Sequence, residues 1–272
     1  MNGAFIDYLN LNKAQLEQKC GVRFCCYFFN RTFHKAQFYA EKFQGIALKS
    51  LAESEFVKHQ IKAIDALFLG VKPQQLDELD LNFSLDVFNS SAIVSILAGS
   101  SRDEIAHRFQ TTPGRVVRLM ANLSIAKKEG IILSYGDQSF PWIKDLLLEA
   151  GQFISLDSEE HIDHLTTYTA SMPGILYHLL HFMALKLKED CAREKISLPC
   201  SSELLLLQML KGATTQAMDQ SSSLNFLDLY SKVASKKGVT EAMALYLEEN
   251  DIDKHLQKMF DRGFEKILQL KK

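Results

Sequence analysis

The chain has 272 residues, 47% of them apolar, with 31 basic against 33 acidic side chains and a formal net charge of −2. That supports one large domain or two ordinary ones around a sizeable core, and the near-neutral balance points away from nucleic acid and anionic membranes. No apolar run reaches bilayer length, and Met1 is followed by neither a basic leader nor a cleavage signal, so a cytoplasmic protein is expected.

From about Gly21 to Leu156, short apolar runs alternate with helical patterns. The expected strands are R-F-C-C-Y-F-F (23–29), D-A-L-F-L-G-V (65–71), A-I-V-S-I-L (92–97), R-V-V-R-L-M (115–120) and G-I-I-L-S-Y (130–135). Continuous apolar strands between helices predict a parallel sheet covered on both faces, the doubly wound α/β class. Five cysteines, including the adjacent Cys25 and Cys26 in the first run, read as reduced, buried thiols.

After about Ser158 the strands stop. Helical apolar spacing runs through Glu159–Lys188, Ser201–Met218, Leu224–Ala234, Thr240–Glu249 and Ile252–Leu270. The expected division is residues 1–157 as an α/β domain and 158–272 as an all-helical one. An all-helical half with this much apolar surface packs against a partner subunit. His161 with His164, and His178 with His181, share i,i+3 spacing but lack acidic or thiol partners. They read as packing or surface histidines, with no metal site.

V-A-S-K-K-G-V-T (233–240) puts hydroxyls, a glycine and two lysines where a helix is expected to begin. Exposed N–H groups at such an end hold small anions; the plain alternative is a surface helix with Thr240 as its N-cap.

Five motifs in order carry a family resemblance. L-F-L-G-V-K-P-Q (67–74) is similar to a strand-end V-K-P-Q. S-I-L-A-G-S-S (95–101) is similar to I-S-x-x-A-G-x-S, and R-V-V-R-L-M-A-N (115–122) to R-x-x-R-x-M-P-N. T-A-S-M-P-G (169–174) is a degraded form of G-S-G-P-A, and V-A-S-K-K-G-V-T resembles V-T-S-P-G-G-T-T. The chain thereby resembles the pyrroline-5-carboxylate reductases, which reduce a cyclic imine to proline with a nicotinamide cofactor.

The resemblance implies a Rossmann-like cofactor domain followed by a helical dimerisation domain, in a homodimer or an assembly of dimers, with the substrate site between the two domains. Val71, Lys72, Pro73, Ala98 and Gly99 would line the nicotinamide and ribose, on the rule that ligands bind beyond the carboxyl ends of strands. The structural alternative is that Lys72-Pro73 merely stops a strand. Asn30, Arg31 and Thr32 offer donors and a positive charge in place of the acid that would hold the NAD ribose, which favours NADP(H); Asn30 is also a candidate helix cap. Ser235, Gly238, Val239 and Thr240 would receive the substrate carboxylate, and Thr240 matches the position proposed to protonate the ring nitrogen. Ser171 and Asn122 complete the implied substrate residues, Asn122 being otherwise an ordinary turn-former.

At Met1-Asn2-Gly3-Ala4-Phe5 the chain enters after the family's first strand and most of its G-x-G turn, leaving Gly3 for the cofactor phosphates. Without that central strand, two neighbours are expected to keep open edges. An upstream start and a decayed or repurposed gene both account for this. Ala121, Ala170, Met172 and Lys237 depart from the family motifs. They leave open a reductase of another small imine or keto acid, or a non-catalytic dimerising homologue.

Overall fold

The computed structural model describes residues 2–76, 78–79, 91–219 and 224–270. It divides into two compact units, residues 1–171 with 263–272, and residues 172–262. The expected division at 157/158 follows the change from strands to helices; packing carries the first unit on to Ser171 and returns the chain's last residues to it.

All five expected strands form, most of them shorter than their apolar runs. They are β1 (Tyr27–Phe29), β3 (Ala66–Leu69), β4 (Ala92–Ser95), β5 (Val116–Ala121) and β6 (Gly130–Tyr135). Two more were not expected: β2 (Ile46–Leu48), which is only three residues long, and β7 (Gly151–Ser155), whose Gly-Gln start breaks the apolar run. The helices of this part are α1 (Asn2–Cys20), α2 (Phe33–Phe43), α3 (Glu53–Lys58), α4 (Arg102–Arg108) and α5 (Pro141–Leu147). Cys25 and Cys26 precede β1 rather than lying within it. Cys25 is exposed, and Cys26, Cys191 and Cys200 are half-buried, which corrects the expectation of buried thiols.

β3-β4-β5-β6-β7 form one sheet, and β1-β2 a separate parallel pair. The strands are thus broken into a pair and a five-stranded sheet with no ladder between them. The large sheet is mixed rather than purely parallel, because β5 and β6 pair antiparallel, Ala121 opposite Ile132 and Arg118 opposite Tyr135. Residues 122–129 between them are too few for a helical crossover, which takes about a dozen residues or more, so the chain must turn straight back.

Every residue of β5 is buried, and its side chains alternate between two layers. Val117, Leu119 and Ala121 pack with Phe5, Tyr8 and Leu16 of α1 and with Ile143 and Leu147 of α5. On the opposite face Met120 packs with Leu133 of β6 and Ile162 of α6 (Glu159–Thr166). The Tyr8 hydroxyl donates to the Leu146 carbonyl at 3.0 Å, so even the polar end of this core residue is satisfied.

α6 does not run unbroken into α7 (Met172–Glu194) as its spacing suggested. Residues Thr167–Ser171 widen into a π-helical turn. The proline at 173 accounts for this, because it has no N–H and clashes with the carbonyl four residues earlier.

The second unit is all-helical, as expected: α7, α8 (Ser202–Met218), α9 (Phe226–Val233), α10 (Val239–Glu249) and the first part of α11 (Ile252–Leu270). Ser201 Oγ accepts from Leu204 N at 3.1 Å and Asn225 Oδ1 from Leu227 N at 2.9 Å, so side chains cap α8 and α9. Large apolar side chains remain exposed on several of these helices, among them Tyr177, Phe182, Leu204, Phe226 and Met243. No helix among the described residues is long and apolar enough to cross a membrane.

Candidate active site

β3, β4 and β5 run parallel, so their carboxyl ends fall on one edge of the sheet. There the chain places Val71-Lys72-Pro73, Ala98-Gly99 and Asn122. Lys72 precedes a 3-10 turn, Pro73–Gln75, whose Gln75 N donates to Lys72 O at 2.8 Å. Gly99 has a positive φ of 80°, and a side chain there would lie 2.9 Å from Leu270 Cβ and 3.0 Å from Ile267 O. Glycine is therefore required both by the backbone and by the helix end packed on it.

The segment after β1 is exposed. Asn30 is not the cap of α2. Thr32 occupies that position, and Asn30 Oδ1 accepts from Thr32 N at 2.9 Å, which turns the chain into the helix. Arg31 Nη1 lies 3.0 Å from Glu78 Oε2, with both side chains largely in solvent, so the pair is weak and open to competition. Gly3 sits in the first turn of α1, where an added side chain would meet only Tyr39 Oη, at 3.6 Å.

Beneath the strand ends lies a polar group that the sequence reading missed. Arg118, 2% exposed, reaches Asp163 Oδ1 at 2.8 Å through Nη2 and Glu159 Oε1 at 3.1 Å through Nη1. The same Glu159 oxygen accepts the Arg102 backbone N–H at 2.7 Å. The signal was present: an arginine in the middle of V-V-R-L-M-A must find acid, and Glu159 and Asp163 are one helical turn apart. Four residues on from Arg118, just past the end of β5, the Asn122 amide donates to Thr169 O at 3.3 Å and accepts from Ile131 N at 3.4 Å. Asn122 is thus brought to the turn that carries Ser171, itself exposed at the last π-helical position.

In the second unit, residues 235–238 form the turn between α9 and α10. Gly238 N donates to Ser235 O at 2.8 Å. The N-cap of α10 is Gly238, not Thr240: its carbonyl accepts from Ala242 N at 3.1 Å, and a side chain at 238 would fall 2.3 Å from Ser235 Oγ. Thr240 is the second helical residue and half-buried; Val239 and Ser235 are exposed. Lys237 adopts φ 60°, and its backbone N–H donates to the Glu241 carboxylate. The side chain that replaces a glycine here is therefore accommodated in the left-handed region at a cost of about 1 kcal/mol or more.

All four histidines of the two pairs are exposed, and three of them lie against aromatic rings. His164 stacks on Phe264 with centroids 3.9 Å apart, and His178 and His181 lie 4.7 and 5.7 Å from Phe182.

Comparison with known proteins places these features. The family model described as pyrroline-5-carboxylate reductase dimerisation matches residues 159–270. The pyrroline-5-carboxylate reductase of Staphylococcus epidermidis is 28% identical over 216 residues, covering 76% of this chain and 77% of its own. Over most of its length the chain is similar to pyrroline-5-carboxylate reductases, and its helical part matches their dimerisation model. Solved pyrroline-5-carboxylate reductases share the fold. The Coxiella burnetii protein superposes with a TM-score of 0.73 at 20% identity, over 100% of this chain and 95% of its own. The Plasmodium falciparum pyrroline carboxylate reductase, solved with NADP bound, gives 0.72 at 16% identity, over 97% and 94%. The reductase family's dimerisation match begins at Glu159, the residue paired with Arg118, so α6 and the π-helical turn fall within the family region although they pack with the sheet.

Proposed function

We propose that the protein is an NADPH-dependent reductase that adds hydride to the imine carbon of 1-pyrroline-5-carboxylate and a proton to its nitrogen, giving proline. The observation that carries this reading is the similarity to the Staphylococcus epidermidis enzyme over 216 residues, more than either compact unit contains. Residues 1–157 are assigned to the cofactor and 158–272 to substrate and dimerisation.

The exposed Asn30-Arg31-Thr32 segment at the end of β1 fits a phosphorylated ribose. No acidic residue stands there or in the first turn of α2, and the guanidinium is engaged only by an exposed carboxylate among the interactions described above. Gly3 is assigned to the phosphates, and Val71, Lys72, Pro73, Ala98 and Gly99 to the nicotinamide ribose. When bound, the cofactor supplies the hydride. Ser235, Gly238, Val239 and Thr240 take the substrate carboxylate, using the first N–H groups of α10 and the two hydroxyls. The Thr240 Oγ delivers the proton to the ring nitrogen, and Ser171 contributes a hydroxyl to the substrate.

The exposed apolar side chains of α7–α10 support a homodimer built on the helical unit, since a monomer rarely leaves such surface in water. The test is loss of NADPH absorbance on adding pyrroline-5-carboxylate, with proline as product. Thr240→Val is expected to abolish turnover while NADPH still binds. A folded, NADPH-binding protein without turnover would sink the reading, and an undiminished Thr240→Val would remove Thr240 from the mechanism.

A further inference from the structure

We propose that Asn122 is a positioning residue: its amide holds the π-helical turn that presents Ser171, and it acts on the substrate through that turn. The inference rests on the assignment of Ser171 to the substrate site.

Pro173 is where the geometry originates. In an unbroken α-helix the carbonyl of Thr169 would take the N–H of residue 173, and proline has none. The helix instead widens over Thr167–Ser171. Threonine hydroxyls take up neighbouring carbonyls: Thr166 Oγ1 donates to Ile162 O at 2.6 Å, Thr167 Oγ1 to His164 O at 2.8 Å and Thr169 Oγ1 to Leu165 O at 2.9 Å. The Thr169 carbonyl receives a donor from outside the helix, Asn122 Nδ2, at 3.3 Å.

The other end of the same amide is also engaged. Ala121 opposite Ile132 is the last paired rung at this end of β5 and β6. Asn122 Oδ1 then accepts from Ile131 N at 3.4 Å, so a side chain stands in for the next rung. Asn122 is 8% exposed, and a buried amide with both ends engaged is fixed in orientation. The sheet edge, the turn after β5 and the widened helix thereby meet on one side chain. Only asparagine's combination of donor and acceptor at this length serves both partners. Aspartate keeps the acceptor for Ile131 and loses the donor for Thr169, whereas alanine loses both.

The test compares Asn122→Asp, Asn122→Ala, Pro173→Ala and the double variant Asn122→Ala/Pro173→Ala. The readouts are steady-state kinetics with NADPH and pyrroline-5-carboxylate, NADPH affinity, and hydrogen exchange of the 167–172 and 130–135 peptides. Both Asn122 variants are expected to raise the pyrroline-5-carboxylate KM about tenfold, the size of one buried hydrogen bond, with NADPH affinity held. Exchange should quicken at 167–172 in both variants, and at 130–135 in Asn122→Ala only. In the Pro173→Ala background Asn122→Ala should cost less, because alanine in place of Pro173 supplies the missing N–H. Losses that simply multiply in the double variant would overturn the proposal, as would Asn122→Asp behaving like the unmodified protein. If the unmodified protein shows no turnover, the functional reading fails separately. Exchange at 167–172 then still decides the clamp, and unchanged exchange there in Asn122→Ala would refute it.

Discussion

Replacing Arg118 with methionine should be among the most damaging single changes in the first unit. The side chain is 2% exposed and joins β5 to the start of α6 through Asp163 at 2.8 Å and Glu159 at 3.1 Å. Methionine fills much of the volume, so packing loss is secondary. What remains is an Asp163 side chain only 3% exposed, deprived of its cation, and a partly buried Glu159. Breaking a buried pair from one side costs about 3–5 kcal/mol, against a typical total stability of about 5–15 kcal/mol. With a urea slope of about 3 kcal/mol/M for a chain of this size, the midpoint should fall by roughly 1–1.7 M. Far-UV circular dichroism, which reports backbone helicity, follows this across a urea series. The companion is Arg118→Met with Asp163→Leu, which removes the stranded charge and should recover much of the loss, because apolar replacement of a buried pair is often close to neutral. A shift below about 0.3 M in Arg118→Met, equal to about 1 kcal/mol on the same slope, would refute the assignment of a dry, tightly coupled pair.

Gly99→Ala should destabilise by about 1–3 kcal/mol, since it combines a positive φ with a side chain 2.9 Å from Leu270 Cβ. Thermal unfolding checks this, and an unchanged melting temperature would show that the C-terminal turns of α11 do not press on the β4 loop. Arg31→Ala should raise the KM for NADPH about tenfold while leaving that for NADH nearly untouched, as expected if one exposed guanidinium reads the extra phosphate; equal effects on both cofactors would reassign the segment. Burial pushes the Cys26 thiol up to about 11, so in mildly alkaline buffer a maleimide should label exposed Cys25 well before Cys26. The gap should narrow as the pH rises toward that value, and equal labelling in mild alkali would contradict the burial of Cys26.

The α/β class, five strands and the helical second half were legible because their apolar runs and 3.6-residue spacing are strong local signals. β2 was too short to register, and β7 opens on Gly-Gln. The reversal between β5 and β6 could have been read from the short connection alone. The site was legible only as a set of positions. Thr240 looked like a cap because cap preference is local, whereas the helix starts two residues earlier, with the Gly238 carbonyl accepting from Ala242 N. Asn122 was legible only as an implied substrate residue or a turn-former, because its partners, Ile131 and Thr169, are 9 and 47 residues away. Arg118 was passed over for the same reason, its acids lying 41 and 45 residues on.

The separate β1-β2 pair carries a consequence for how the protein breathes. Two strands of three residues, joined by a single ladder, hold together weakly on their own. Their ties to the remainder are side-chain packing, with Tyr27 and Leu48 in one apolar cluster with Leu69 and Ile93, and the contacts between α1 and α2, the Lys42–Asp7 ion pair and Lys13 with the Phe43 carbonyl. This lobe should open at lower free energy than β4 and β5, and its amides should exchange earliest among the strands. Arg31 stands on it. A dinucleotide seated there would act as a brace, and part of its binding energy would be consumed in keeping the lobe closed, so its measured affinity would depend on how often the lobe is shut.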